Sequence, residues 1–471
     1  MKIFFLILFF LPFSLFAQEV VELKNADRLT GKVIDGKSVR EAEGNVQFVQ
    51  GNIRVFCNSA TQFIDENRII LVGNVRIYQD TLTLTTSRGV YYGNEKRATG
   101  EGGVTLKDPN ATLRADYGTY YFNEAKAIFN GDVIIRNPQY QITSKELTYY
   151  RNSEDSYAKG NVKVETDSAV ITAENVDFLK RQGLSFAYQN AKLVSDSTVI
   201  TADTLRDFSF ENRSEASGNV TIVSENNNTV ITGNFLENFE DRNYTKITGN
   251  AKLQQIEQNA NGINDTLFIY SSMMEAFRDK PEKYTASGNV ETIRTEFMSR
   301  SENAFYFRDA ETISLTGNPV VWQNNSQMTG DSIYAELPGK QLQTIYVMKF
   351  EASERPSFLI SQSDSVYFKE RYNQVTGDNI IINFLNDKVN NVFSDNNSSS
   401  IYFLYEEDGK ANGVNKISGV DMKVLFDSTE QVEKIIIEQD PTGQYASENN
   451  ISEINLRLPG FMWRDDKPIR K

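Results

Sequence analysis

The chain contains no histidine. That absence excludes Ser-His-Asp and Cys-His catalysis and any His-ligated metal site, while carboxylate chemistry of the glycosidase kind remains open. Its single cysteine, Cys57, can form neither an internal disulfide nor a Cys-rich metal site. Proline is scarce, with 10 in 471 residues, so long strands can run uninterrupted. Positive charge is in deficit: 49 Lys and Arg stand against 63 Asp and Glu, a net charge of −14. A nucleic-acid partner needs a basic surface and is not expected; nor is a cofactor.

Only the first residues form a long apolar run. "MKIFFLILFFLPFSLFAQ" has one Lys, an apolar core and a small residue at Ala17. The run from Ile3 to Leu11 is too short to span a bilayer. Residues 1–17 therefore read as a cleaved secretory signal peptide, and the mature chain as an exported, soluble protein. No Cys follows the cleavage point, which argues against a lipoprotein.

What is present is a repeat. Gly44, Gly73, Gly102, Gly131 and Gly160, then Gln189 and Gly218, stand at steps of 29 residues. The step loosens to Gly249 and Gly288 and tightens again to Gly317. A period of this size calls for a repeat architecture. Two residues after each Gly, and again two later, come apolar side chains: Val46 and Phe48, Val75 and Ile77, Val104 and Leu106, Val133 and Ile135, Val162 and Val164, Ala191 and Leu193, Val220 and Ile222. Residues two apart share one face of a strand. Small residues form another column (Cys57, Thr86, Ala115, Ser144, Ala173, Ala202), and large ones a third (Phe63, Tyr92, Tyr121, Tyr150, Leu179, Phe208). The place of Cys57 in the small column gives it a packing role.

Each repeat reads as two strands. One runs through "YAKGNVKVE", turns at Thr166-Asp167-Ser168, and the second runs through "AVITAENVDFL" to a turn near Gly183. A Gly-Asn pair in mid-strand marks a bulge or bend. Strands that bend at matched positions make an antiparallel sheet folded on itself, with an apolar inner face and a polar outer one. After residue 330 the rhythm widens. "TGDSIYAEL" at Thr329, "TGDNIIINF" at Thr376 and "SGVDMKVLF" at Ser418 resemble one another across longer inserts. Residues 18–330 are thus expected as one β repeat domain and residues 331–471 as a second β region with an irregular tail from Pro459.

Alternation reports one buried face and not what buries it, so the Val/Ile columns fit a closed core as well as an open groove. A parallel β-solenoid that binds or cleaves carbohydrate, or an adhesin, also fits a coil of this length. So does a chaperone-like protein that holds another lipid or a nascent membrane protein. Asp80-Thr81-Leu82, Asp167-Ser168-Ala169, Asp203-Thr204-Leu205 and Asp331-Ser332-Ile333 resemble O-glycosylation motifs, and equally suit ordinary turn chemistry.

The "GNV" phrases at Gly73, Gly160, Gly218 and Gly288, the "TAE" and "TAD" phrases at Thr172 and Thr201, and "TGNPVVWQNNSQMTGDSIYAE" from Thr316 resemble the OstA/LptA family of lipopolysaccharide-transport proteins. The long form ending in "PGFMWR" resembles OstA-like proteins of Bacteroidota. The resemblance implies an extended β-jellyroll, or β-taco, in the periplasm that bridges the two membranes and is not an enzyme. It implies lipid A acyl chains held in a groove lined by Val46, Phe48, Val75, Ile77, Val104, Leu106, Val133, Ile135, Val162, Val164, Leu193, Val220 and Ile222. It further implies LptC-like and LptD-like partners at the two sheet edges, or head-to-tail self-association. An acidic protein repels an anionic lipid only weakly at physiological salt, whereas each buried methylene contributes about 0.8 kcal/mol.

Overall fold

From Lys37 to Phe239, alternating apolar positions, matched bulges and two-to-four-residue turns produce successive antiparallel hairpins. The computed structural model describes residues 19–471 apart from 259–263, 296, 363–367, 387 and 407–408. The expected signal peptide lies outside the described residues. Among the described residues every ladder is antiparallel, which overturns the parallel β-solenoid. The chain divides between Ala191 and Lys192 into two compact units.

In unit 1, the strands Lys37–Gln50, Ile53–Phe63, Arg68–Gln79, Leu82–Tyr92, Arg97–Lys107, Thr112–Tyr121, Lys126–Arg136, Gln141–Tyr150, Asp155–Glu165 and Val170–Leu179 each pair with the next. Every second strand carries a bulge at its recurrent Gly, which is followed by Asn, Gly or Asp. Val72 pairs with Arg88 and Val75 with Thr86, so Gly73 and Asn74 oppose one residue, Ser87. Both bulge residues take left-handed backbone, as do Gln189 and Asn190 at the one step without Gly. At Gly131 a side chain is excluded twice over: φ is +77°, and a Cβ would lie 2.6 Å from Asp116 Oδ2.

The bulges divide each strand into two halves, which we call wall A and wall B. Wall A follows the bulge and holds the Val46, Val75 and Val104 columns. Wall B precedes it and holds Ile69, Leu71, Ala98 and Phe129. Flat, Leu82 in wall A and Tyr91 in wall B would sit about 30 Å apart at ~3.3 Å per residue. Yet Tyr91 OH donates to Oε1 of Gln50, which lies at the wall A end, at 2.6 Å. The sheet is folded on itself along the bulges, and the inner faces of the walls meet. At the fold, large residues oppose small ones: Val46 faces Cys57, Val104 faces Ala115 and Val162 faces Ala173. The column Phe63, Tyr92, Tyr121, Tyr150 lies on the outer face of wall B. There it alternates with Arg68, Arg97 and Lys126, whose cationic groups sit over the rings.

Unit 2 repeats the folded sheet from Thr198–Phe208 to Phe297–Phe307. The last of these strands then pairs with two partners. Its residues Asn303–Phe307 bond Thr312–Thr316, and Phe297–Arg300 bond Val320–Gln323. Beyond it the walls are separate ladders, one running to Val432–Glu438 (wall B) and the other to Thr442–Ser447 (wall A). The resembling segments at Thr329, Thr376 and Ser418 are the places where the chain crosses from wall A to wall B. Leu315, Ile345, Val347, Ile380 and Ile382 of wall B close this core against Val321 and Met328 of wall A.

Residues 448–471 then run back across the outer face of wall A in unit 2. Gln374 receives Leu458 N–H and donates to Leu456 O, both at 2.9 Å. Trp322 and Gln327 both donate to Arg464 O, and Lys471 pairs with Glu291 at 2.7 Å. The tail from Pro459 is irregular, as its composition suggests, and covers Phe358, Ile360, Ile401 and Phe403 jointly with Ile454 and Leu458.

Candidate functional site

The inner columns are the candidate site, and the two units present them differently. In unit 1, Val46, Phe48, Val75, Ile77, Val104, Leu106, Val133, Ile135, Val162 and Val164 are at most 2% exposed. Their partners on the return strands, Val55, Leu84, Leu113 and Ile142, are equally buried.

What seals them is the rim of the walls. Gln62, Tyr91, Tyr120, Tyr149 and Phe178 stand 29 residues apart at the free end of wall B. Tyr91, Tyr149 and Phe178 reach across to wall A, while the buried Tyr120 hydroxyl has no hydrogen-bond partner. Tyr91 bonds Gln50, and Tyr149 OH lies 3.4 Å from Asp108 Oδ2. Arg151 donates to Thr81 Oγ1 at 2.8 Å, and Asn110 to Glu154 at 2.9 Å. Tyr140 stacks on Phe178 with centroids 5.2 Å apart. Residues 19–21 add a strap. Gln50 Nε2 donates to Glu19 O at 2.5 Å, Val21 N–H to Asn67 at 3.1 Å, and Gln62 to Val21 O at 3.1 Å. Burial pushes the Tyr91 and Tyr149 phenols well above their usual range, with Glu19 and Asp108 respectively adding to the effect. Burial likewise pushes the Cys57 thiol up to about 11, which leaves it protonated and unreactive at neutral pH.

In unit 2 the floor stays buried, formed by Ala202, Ala216, Val220, Leu236, Ile247 and Ala251. One step up the wall the side chains emerge. Leu193, Ile200, Ile222, Ile231 and Leu253 are half-buried, though they occupy the positions that Phe48 and Val55 hold in unit 1. The rim has changed as well. In place of tyrosines it carries Asp207 and Asn238, and in place of Ile69 and Ala98 it carries Ser214 and Thr245. An apolar trough with a polar lip results, about seven strands wide before the core closes again beyond Thr312. Of the sequence-predicted residues, Leu193, Val220 and Ile222 line this trough and the other ten lie inside the closed part of unit 1. Ile200, Ile231, Leu253 and Met274 belong to the trough and carry the same alternation on return strands and later repeats.

Residues 18–174 match the family described as OstA-like protein. Residues 141–338 match the family described as LptA/(LptD N-terminal domain) LPS transport protein. Together the two matches take in residues 18–338 and mark the chain as an OstA-like protein with similarity to LPS transport proteins. The two matches overlap and take in unit 1 together with the open stretch of unit 2. Among solved structures, LptH of Pseudomonas aeruginosa, described as an LptA-homologous periplasmic component of the lipopolysaccharide transport device, is 14% identical. That alignment covers 23% of this OstA-like chain and 82% of LptH, with a TM-score of 0.22. No curated protein matches the chain.

Proposed function

We propose that this OstA-like protein is a periplasmic bridge that carries lipopolysaccharide from the inner to the outer membrane, with lipid A acyl chains lodged between walls A and B. The observation that carries this reading is the open trough of unit 2. Its apolar wall stands half exposed over a buried floor. An acyl chain that replaces water there contributes about 0.8 kcal/mol per buried methylene, so a chain of about a dozen carbons reaches on the order of 10 kcal/mol at most. Repeated identical positions offer a sliding lipid the same surroundings at each step. Transfer of this kind needs no catalytic residue.

The outermost strands are the proposed docking edges. Arg28–Ile34 is exposed along its whole length, carries Leu29, Val33 and Ile34, and pairs on one side with Lys37–Glu43. Val432–Glu438 and Thr442–Ser447 form the other edge, each paired with one neighbour. Backbone groups left open on such strands accept a further strand. LptC-like and LptD-like sheets are the proposed partners, and a second copy joined head to tail is the alternative occupant.

Site-specific photocrosslinking in cells tests the trough. A probe at Ile222 or Ile231 is expected to capture lipopolysaccharide, and one at the outward-facing Lys246 is not. A folded, exported protein that yields no adduct at either inward site would rule the lipid reading out.

A further inference from the structure

The sealed mouth of unit 1 is built from polar groups. A permanent core closes most simply with apolar side chains, since a buried polar group costs free energy unless it is fully bonded. Here the closure depends on Gln50, Gln62, Tyr91, Asp108 and Tyr149, all at most 7% exposed. Each has a hydrogen-bond partner across the mouth or in the strap at residues 19–21. When the walls part, these groups meet water and recover hydrogen bonds, so separation costs less than for an apolar seam. The same rim column turns to Asp207 and Asn238 where unit 2 lies open.

We infer that the mouth of unit 1 is a latched gate for lipid, an inference that rests on the transport reading. The bonds from Tyr91 to Gln50, from Tyr149 to Asp108 and from Arg151 to Thr81 hold walls A and B together. Acyl chains reach Ile77, Leu106 and Ile135 only when these bonds open. Unit 1 then alternates between a closed, empty form and a parted, loaded one, while the trough of unit 2 stands ready for lipid at all times.

Spin labels on the full-length chain measure the gate directly. The sole native cysteine is buried, so labels at exposed Lys107→Cys (wall A) and Glu124→Cys (turn of wall B) are selective. The unliganded protein is expected to give one short distance. Lipopolysaccharide micelles are expected to add a longer one. The double variants Gln50→Ala with Tyr91→Phe, and Arg151→Ala with Tyr149→Phe, are expected to raise the longer-distance fraction without lipid, about fivefold for each hydrogen bond lost. Tyr91→Phe alone, which keeps the ring packed, serves as the variant least able to disturb folding; hydrogen exchange of wall strands verifies it. Lipopolysaccharide adducts at Ile222 are recorded on the same preparations. Adducts at Ile222 with one unchanged short distance in every variant and with lipid would overturn the gate and leave the transport reading standing. Loss of adducts at Ile222 as well would overturn both.

Discussion

Unit 1 and the first half of unit 2 are written in one phrase and differ in what closes it. Both fold along bulges at the recurrent Gly and both bury a floor at the fold. In unit 1 the interior is buried from floor to rim; in the first half of unit 2 it is fully buried at the floor only. The difference does not lie in the columns that define the repeat, since Ile77 and Ile222 occupy one slot. It lies in a rim position that is Tyr91, Tyr120 and Tyr149 in one unit and Asp207 and Asn238 in the other. A repeat thus sets the fold, and the residues at its margin set whether the interior is a core or a trough.

The same substitution in the two regions tests this most severely. Ile77→Asp places a carboxylate among fully buried side chains and is expected to destabilise unit 1 by more than about 4 kcal/mol, against about 1 kcal/mol for Ile222→Asp at the half-exposed slot. Chemical denaturation followed by near-ultraviolet dichroism checks both. Equal losses would show that the trough of unit 2 closes in solution. Tyr91→Asn, which gives unit 1 the rim residue of unit 2, is expected to cost about 3 kcal/mol and to admit an apolar fluorescent probe to the interior. Gly131→Ala and Gly218→Ala are expected to cost about 2 kcal/mol each, alike in both units, because both bulges hold φ near +77° under an opposing aspartate. Unequal values would show that the fold line itself differs between the units. The smallest effect is chemical. Cys57, its thiol pushed up to about 11 by burial, is expected to resist alkylation at pH 8, whereas a cysteine introduced as Ile222→Cys reacts within minutes, on the order of an exposed thiol.

The fold was legible because its causes are local and periodic. Alternation after each Gly marks wall A, the Gly-Asn pair marks the fold line, and the small column marks where large residues cross it. Gln189 shows the limit of the letter code: it breaks the Gly column, yet its backbone keeps the left-handed step. The rim was harder to read. Tyr91, Tyr120 and Tyr149 stand directly before Tyr92, Tyr121 and Tyr150, and only the register decides which tyrosine of each pair faces in. The period attracts attention to the outer column, where rings lie under Arg97 and Lys126. The bonds that close the mouth join residues some 41 apart through side chains, and alternation along a strand does not reveal which partner a rim residue finds. For the same reason the sequence shows the tail as irregular without showing what it covers.

That tail has a consequence for how the protein comes to exist. Each hairpin of the sheet can form as soon as its two strands are available, because its ladder joins neighbours in the chain. The cover laid down by residues 448–471 is different: Trp322 and Gln327 wait for Arg464, and Tyr270 for Lys471, at separations of 137 to 201 residues. A chain that emerges from its amino end would assemble the folded sheet progressively while the faces of Phe268, Trp322 and Phe358 stay bare. They are covered only once residues 448–471 have been made. The period when this protein is most exposed to misassociation is therefore the interval between finishing its walls and laying down its tail.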